Sequence, residues 1–494
     1  MMEHGRPPVS FLDIRKSQRT ISPLSKAEKQ RSSFSIFPWK ALGSSCYASG
    51  AMQNITYRTS RFFDDVADQR DRHVHLILIA TKPDIIKQVP LYRELKKRGH
   101  LVLLGHTGQH YDENLSGGML KEFSVEPDFN LNVRGAMHEV VSQIIGRLGH
   151  VISELKARGK IVIPYVHGDT TTAMAASNAG FCHGFASVHV EAGIRTLTPD
   201  YEKLKMKNGK WELNDIGAWR DFQMQAQNWT RGSLEPYPEQ FNTRCSEAAT
   251  GIHLAPVALD RGFMLSEGFS EDRIFVVGNS VVDATEEAMK DAKNATVFNR
   301  HPQLKEGGFV RFCIHRRENC ASEKRFRAIY DAMKALILSG RTVLLIEMFQ
   351  TNAAFERFGL KKEVEELART HTNFVLSPVW SEYRDVIAAM SRAAVCATDS
   401  GSMQEEMNAM GVPCVTLRFG SDRSESAMAG GNLIAPPVSA EGIRKIIEFA
   451  WDHPEMRRSP KLYGSDVSRK CIDAVSRVLK EGEVFRTEEE RLVA

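Results

Sequence analysis

From residue 73 onward, short apolar runs alternate with longer amphipathic ones. "HVHLILIA" (73–80), "LVLLGH" (101–106), "KIVIPYVHGD" (160–169) and "FASVHVEAG" (185–193) are rich in branched side chains and end in glycine or polar residues. Such runs predict strands buried on both faces. Between them Met137, Val140, Val141, Ile144, Ile145, Leu148, Val151, Ile152 and Leu155 keep a three-and-four spacing, which predicts an amphipathic helix. Repeats of strand, helix and strand imply parallel sheets covered on both sides. The pattern restarts at "RIFVVGN" (273–279) and runs through "FVRFCIHRREN", "TVLLIEM", "NFVLSPV", "AVCATDSG" and "VPCVTLR". The predicted fold class is α/β, with two doubly wound Rossmann-like domains facing a central cleft. Ligands of such folds bind at the carboxyl ends of the strands.

The predicted organisation is a first domain over 73–260 with an insertion at 197–235, a second over 261–460, and a C-terminal helix and tail over 461–494. Residues 1–72 are predicted to be a disordered basic extension. The stretch "KSQRTISPLSKAEKQRSSFS" (16–35) has no periodicity and too little apolar surface to fold alone.

Composition narrows the function classes. A net charge of +4 from 65 basic and 61 acidic side chains provides no field that would draw nucleic acid or membrane, so neither is an expected partner. The eight cysteines are scattered without a CxxC or zinc spacing, as expected of reduced thiols in a cytoplasmic protein. No apolar run reaches the ~20 residues that a membrane helix needs. The expected state is a homodimer in the cytoplasm.

Polar residues at the predicted strand ends carry the candidate chemistry. Asp169 follows a strand and opens a small-residue helix; alone it reads as an N-cap. Glu191 ends the strand in "HVEAGIRT", where a charged side chain is seldom buried unless paired. Glu239 sits in the Pro-bounded loop "PYPEQFNTR". Three carboxylates at one end of one domain suit general acid and base work. In the second domain, "CIHRREN" supplies His315, Arg316 and Arg317, and "ATDSGSMQEE" places Ser400, Gly401 and Ser402 at a helix start, where backbone N–H groups favour an anion. Glu405 and Glu406 read either as ribose acceptors or as first-turn glutamates favouring the helix dipole.

Taken in order, "TGQHYD", "HGDTTTA", "HVEAGIRT", "PEQFN", "VVGNSVVDA", "HRREN" and "TDSGSMQEE" resemble the UDP-N-acetylglucosamine 2-epimerase family across roughly residues 74–450. The resemblance implies a GT-B-like fold and a UDP-N-acetylhexosamine substrate. It implies elimination of UDP across C1 and C2 and its re-addition, with the C2 proton returned to the other face, and needs no metal or other cofactor. It matches Asp169, Glu191 and Glu239 to the acid/base carboxylates and His315 to the active-site histidine. Ser400 and Gly401 match the diphosphate site and Glu406 the ribose site. Further contacts fall on Lys82, Gln109, His110, Arg195 and Arg244 in the first domain, and on Arg316, Arg317, Ser402 and Arg418 in the second. The retained "GQH" and "HRREN" resemble the non-hydrolysing branch. A hydrolysing 2-epimerase, a silent UDP-sugar-binding protein and a glycosyltransferase of the same architecture are the alternatives.

The chain departs from the family pattern in several places. Lys82 stands where the family has arginine, Asp84 where it has glutamate, Gln240 replaces a second glutamate, Arg244 is displaced by one position, and Gln350 replaces a histidine. The stretch from Leu197 to Glu235, with Trp211, Trp219 and Trp229, separates Glu191 from Glu239 by an unusual length of chain. It reads either as surface decoration or as a lid or assembly contact that alters the sugar pocket.

Overall fold

Branched side chains fill both faces of the predicted strands, and the strands assemble into two sheets. The computed structural model describes residues 54–108, 117–203 and 215–480. The first sheet runs Thr56–Tyr57, Phe129–Asn130, Val102–His106, His73–Ile79, Ile161–His167, Ser187–Val190, Thr250–Ala255, Ile274–Val276. Only the first pair is antiparallel. The second sheet is all parallel and runs Phe374–Pro378, Val343–Glu347, Val310–Cys313, Val395–Thr398, Cys414–Thr416, Asn432–Ile434.

Strand order positions the site. In the first sheet the chain turns to opposite sides of His73–Ile79, so the loops at Ala80–Thr81 and Gly168–Asp169 leave side by side. In the second sheet the reversal falls at Val310–Cys313 and Val395–Thr398, so His315 and Ser400 leave side by side. Such switch points are where doubly wound sheets open a crevice.

Two predicted boundaries need correction. The extension does not reach residue 72: Thr56–Tyr57 joins the first sheet, and the helix Phe62–Ala67 buries Phe62 and Val66. Aromatic packing explains this, since the Phe62 ring lies 5.0 Å from Tyr57 and 5.9 Å from Phe129. Residues 1–53 lie outside the described residues. The first domain does not end at 260, because Ile274–Val276 pairs with Thr250–Ala255 in the first sheet. The helix Val467–Lys480 returns to the first domain, where Arg98 meets Asp473 at 2.7 Å.

The insertion belongs structurally to the second domain. Leu197, Trp219 and Trp229 are buried with Phe312, Leu433 and Ile446. Trp219 Nε1 donates to the Ile434 carbonyl and Gln223 Oε1 accepts from the Ile434 amide, each at 2.8 Å. Ile434 ends the edge strand, so the insertion supplies partners that an exposed edge would lack. None of its described residues lines the cleft, and Trp219 and Trp229 are spent in the core; Trp211 lies outside the described residues.

Candidate active site

Gly168, at φ +62°, turns the chain out of Ile161–His167. Thr170, not Asp169, caps the helix Thr171–Cys182, its Oγ1 accepting from Ala173 N at 3.0 Å. Asp169 is thereby released from capping and lines the cleft half-buried, with no hydrogen bond to its carboxylate among the described residues.

Glu191 ends the next strand at φ +68°, a left-handed backbone seldom adopted by side chains of its size. Two residues on, a Cβ at Gly193 would lie 2.6 Å from the Asp260 carbonyl, so only glycine lets the helix Ala258–Ser266 approach this turn. Glu191 is 4% exposed and fully occupied. Its Oε2 accepts from Lys87 Nζ and pairs with His167 Nε2, each at 2.7 Å, while Oε1 accepts from Arg423. Glu405 accepts from the same lysine and arginine, closing a ring that joins Glu191 and Lys87 of the first domain to Glu405 and Arg423 of the second. Burial alone would raise the Glu191 carboxyl, but Lys87, Arg423 and His167 hold it well below the ordinary range. Burial likewise opposes charge on His167, yet Glu191 and Asp84 raise it to about 9. Asp84 grips His167 Nδ1 at 2.9 Å with one oxygen and caps the helix Lys82–Lys97 with the other.

Glu239 is the first residue of the helix Glu239–Ala248. Arg316 holds its Oε1, whereas Oε2 is buried without a partner among the described residues. Burial raises this carboxyl, Arg316 works against the rise and Asp169 adds to it. Glu239 and Glu191 are therefore shifted in opposite directions although they share a cavity.

The facing wall comes from the second domain. Buried Asp399 accepts from the backbone amides of His315 at 3.0 Å and Arg316 at 3.1 Å and from Asn319 Nδ2 at 3.0 Å, which fixes the loop carrying His315, Arg316 and Arg317. Burial opposes charge on His315, but Cys313 and Asp399 outweigh it and raise the imidazole. Beside it the helix Gly401–Met410 starts at its N-cap Ser400. A cavity of about 790 Å³ lies between the walls, and Asp169, Glu191, Glu239, His315, Arg316, Arg317, Ser400, Gly401 and Ser402 all line it. It can hold an anion at the helix start and place carboxylates over a group bonded to that anion.

A family model described as UDP-N-acetylglucosamine 2-epimerase matches residues 93–202 and 230–476, well over half of the chain. The chain belongs to the UDP-N-acetylglucosamine 2-epimerase family. The match breaks at 203–229, inside the insertion. The chain is 28% identical over 407 residues to UDP-N-acetylglucosamine 2-epimerase of Bacillus subtilis, covering 81% of this chain and 93% of that one. It is 27% identical over 393 residues to the enzyme of that name from Methanocaldococcus jannaschii, covering 78% and 94%. Its fold matches the crystal structure of Methanocaldococcus jannaschii UDP-GlcNAc 2-epimerase in complex with UDP-GlcNAc and UDP, with a TM-score of 0.67 at 24% identity over 83% of this chain and 100% of that one. The Neisseria meningitidis enzyme bound to UDP-GlcNAc gives a TM-score of 0.66 at 24% identity, covering 83% of this chain and 100% of that one.

Other residues singled out through the epimerase resemblance lie elsewhere. Arg195 is buried against Glu247 and Glu267. Arg244 is exposed and donates to the Gln240 carbonyl at 2.8 Å. Lys82 points to the Trp380 carbonyl at 3.4 Å, and Arg418 is buried against Asp422 at 2.8 Å. Glu406 lies behind the wall, its Oε1 accepting from Tyr383 Oη at 2.8 Å, and burial raises it to about 7. Gln109 and His110 lie outside the described residues. Sequence reasoning missed Lys87, His167 and Arg423, which also line the cavity. The available signal was a lysine inside the apolar stretch "DIIKQVPL", where an unpaired ammonium would be costly.

Proposed function

We propose that this enzyme interconverts UDP-N-acetylglucosamine and UDP-N-acetylmannosamine at C2 without net hydrolysis. The observation that supports this reading is one cavity with carboxylates on the first-domain wall and a helix start beside three basic side chains on the other. UDP would lie on the second domain, its diphosphate at Ser400, Gly401 and Ser402 with Arg316, Arg317 and His315 nearby. A carboxylate takes the C2 proton, the C2–H electron pair forms the C1–C2 double bond, and the C1–O bond breaks with its pair leaving on UDP. The cations and helix amides stabilise the departing diphosphate. A carboxylic acid then protonates the other face of C2 of the enclosed glycal, and the diphosphate oxygen re-forms the bond to C1. The same reading takes the enzyme as a cytoplasmic homodimer, which light scattering on the purified chain and localisation of a tagged copy test.

Proton NMR of UDP-N-acetylglucosamine incubated with the protein in deuterated water tests the reaction. The expected product is the UDP-linked epimer carrying deuterium at C2. Free N-acetylmannosamine with UDP would assign the hydrolysing branch, and the absence of any C2 exchange would overturn the epimerase reading.

A further inference from the structure

Two arginines of the cavity wall hold carboxylates, and behind the wall they share one anion. Arg316 bonds Glu239, Arg423 bonds Glu191, and both arginines line the cavity. Asp422 is buried and lines no part of it. Its Oδ1 accepts from Arg418 Nη1 at 2.8 Å. Its Oδ2 makes no hydrogen bond among the described residues and lies 3.6 Å from Arg423 Nη1 and 4.0 Å from Arg316 Nη2. An unbonded oxygen on a buried carboxylate costs free energy, yet here its charge acts on both arginines without displacing the bond that each makes to a glutamate. We propose that Asp422 is a positioning residue for epimerisation, dividing the charge of Arg316 and Arg423 between itself and the cavity carboxylates and so setting how firmly Glu239 and Glu191 hold their protons.

This role rests on the epimerase reading, in which carboxylates of the wall move the C2 proton. Asp422 stands in the loop between Cys414–Thr416 and Ser424–Met428, and the insertion pins that loop. Leu197 and Ser421 exchange backbone hydrogen bonds at 2.9 and 3.0 Å, and Tyr201 Oη donates to the Phe419 carbonyl at 2.7 Å. A Cβ at Gly420 would lie 2.5 Å from the Leu197 carbonyl, so the two segments meet with no room for a side chain. A Cβ at Gly401 would lie 3.4 Å from Asp422 Oδ2, which places the carboxylate against the helix start where the diphosphate would lie. Burial would raise the Asp422 carboxyl, but Arg418, Arg423 and Arg316 hold it well below the ordinary range. Asp169 and Glu318 also face Glu239, Lys87 and His167 face Glu191, Glu405 faces Arg423, and Asp399 faces Arg316. Arg418, outside the cavity, competes with its two arginines for Asp422.

The test is the pH profile of kcat and of KM for epimerisation by the full chain, with wild-type C2 exchange in deuterated water as the control. Absence of that exchange defeats the epimerase reading and this inference with it, whereas the variants can defeat the inference alone. Asp422→Asn keeps the volume and removes the charge. Both arginines then act undivided on the carboxylates, so both limbs of the profile are expected to move by about one pH unit toward acid, with kcat at neutral pH about ten-fold lower and KM no higher. Arg418→Gln does the reverse: Asp422 is left to the cavity arginines, and the limbs are expected to move toward alkaline pH. Tyr201→Phe deletes one hydrogen bond away from the cavity and loosens the loop. It is expected to move the limbs as Asp422→Asn does, by less, and it carries the test if neither buried variant folds. Limbs that stay in place in every variant that folds would overturn the proposal, as would shifts of the same sign in Asp422→Asn and Arg418→Gln, which would mark general damage to the wall.

Discussion

Glu191 and Arg195 lie four residues apart in "HVEAGIRT", and both are buried in ion clusters, but the clusters join different things. Arg195 meets Glu247 and Glu267, all within the first domain and away from the cavity. Glu191 meets Lys87, His167 and Arg423, a set drawn from both domains at the cavity wall. The Arg195 cluster can persist while the cleft opens; the Glu191 cluster cannot. Proximity in sequence and similar burial therefore do not assign a charged residue to a site. What assigns it is which domain holds the partner.

The strongest way to break this comparison is Arg195→Leu. It leaves Glu247 buried without its cation and is expected to cost about 4–5 kcal/mol of stability in urea unfolding, with UDP affinity unchanged in protein that folds. A large rise in KM with normal stability would instead make Arg195 a site residue. Next comes Trp219→Ala, which removes a side chain only 2% exposed in the second domain. It should cost ~3–4 kcal/mol and speed hydrogen exchange at Ile434, while the limbs of the pH profile stay in place.

Alkaline pH separates the clusters without mutation. The folded pKa of His167 is raised from 6.5 to about 9, so its contribution is fully present below pH 6.5 and lost as pH rises through 9. The shift corresponds to at most about 3 kcal/mol, and scattering between pH 7 and 10 should detect an opening cleft. Glu247 behaves oppositely: burial would raise it, but Arg195 holds it below 4.5, so its contribution is lost as pH falls. Cleft opening on the acid side alone would sink the comparison. The smallest effect is expected from Tyr383→Phe, which removes the bond to Glu406 outside both clusters and the cavity, and should cost about 1 kcal/mol in urea unfolding with UDP affinity unchanged.

The two-sheet architecture was legible because strands buried on both faces need long branched runs, and those runs survive in any context. What was not legible was membership. "RIFVVGN" reads as a strand, but nothing local says that it pairs with Thr250–Ala255 and not with the strands that follow it. Tyr57 and Phe62 lie in a segment too short for periodicity, and they are held by a ring, Phe129, more than sixty residues away. In the site, Asp169 and His315 could be placed because each follows a strand at a switch point, whereas Glu239, read only as part of a Pro-bounded loop, was singled out through the motif "PEQFN". Lys87 could not, because helical spacing does not say which face meets another domain. The gap between Glu191 and Glu239 was visible, yet its destination, the edge strand ending at Ile434, depends on contacts more than two hundred residues apart.

The route of the backbone also bears on synthesis. The insertion leaves the first domain to cap the second, and the helix Val467–Lys480 comes back to close the first. On a ribosome, the first domain would emerge lacking that helix, with Trp219 and Trp229 exposed until Ile434 is made. Domains that complete themselves in order can fold as they appear. Here both depend on late residues, so neither domain can be complete before the chain has been made as far as Val467–Lys480.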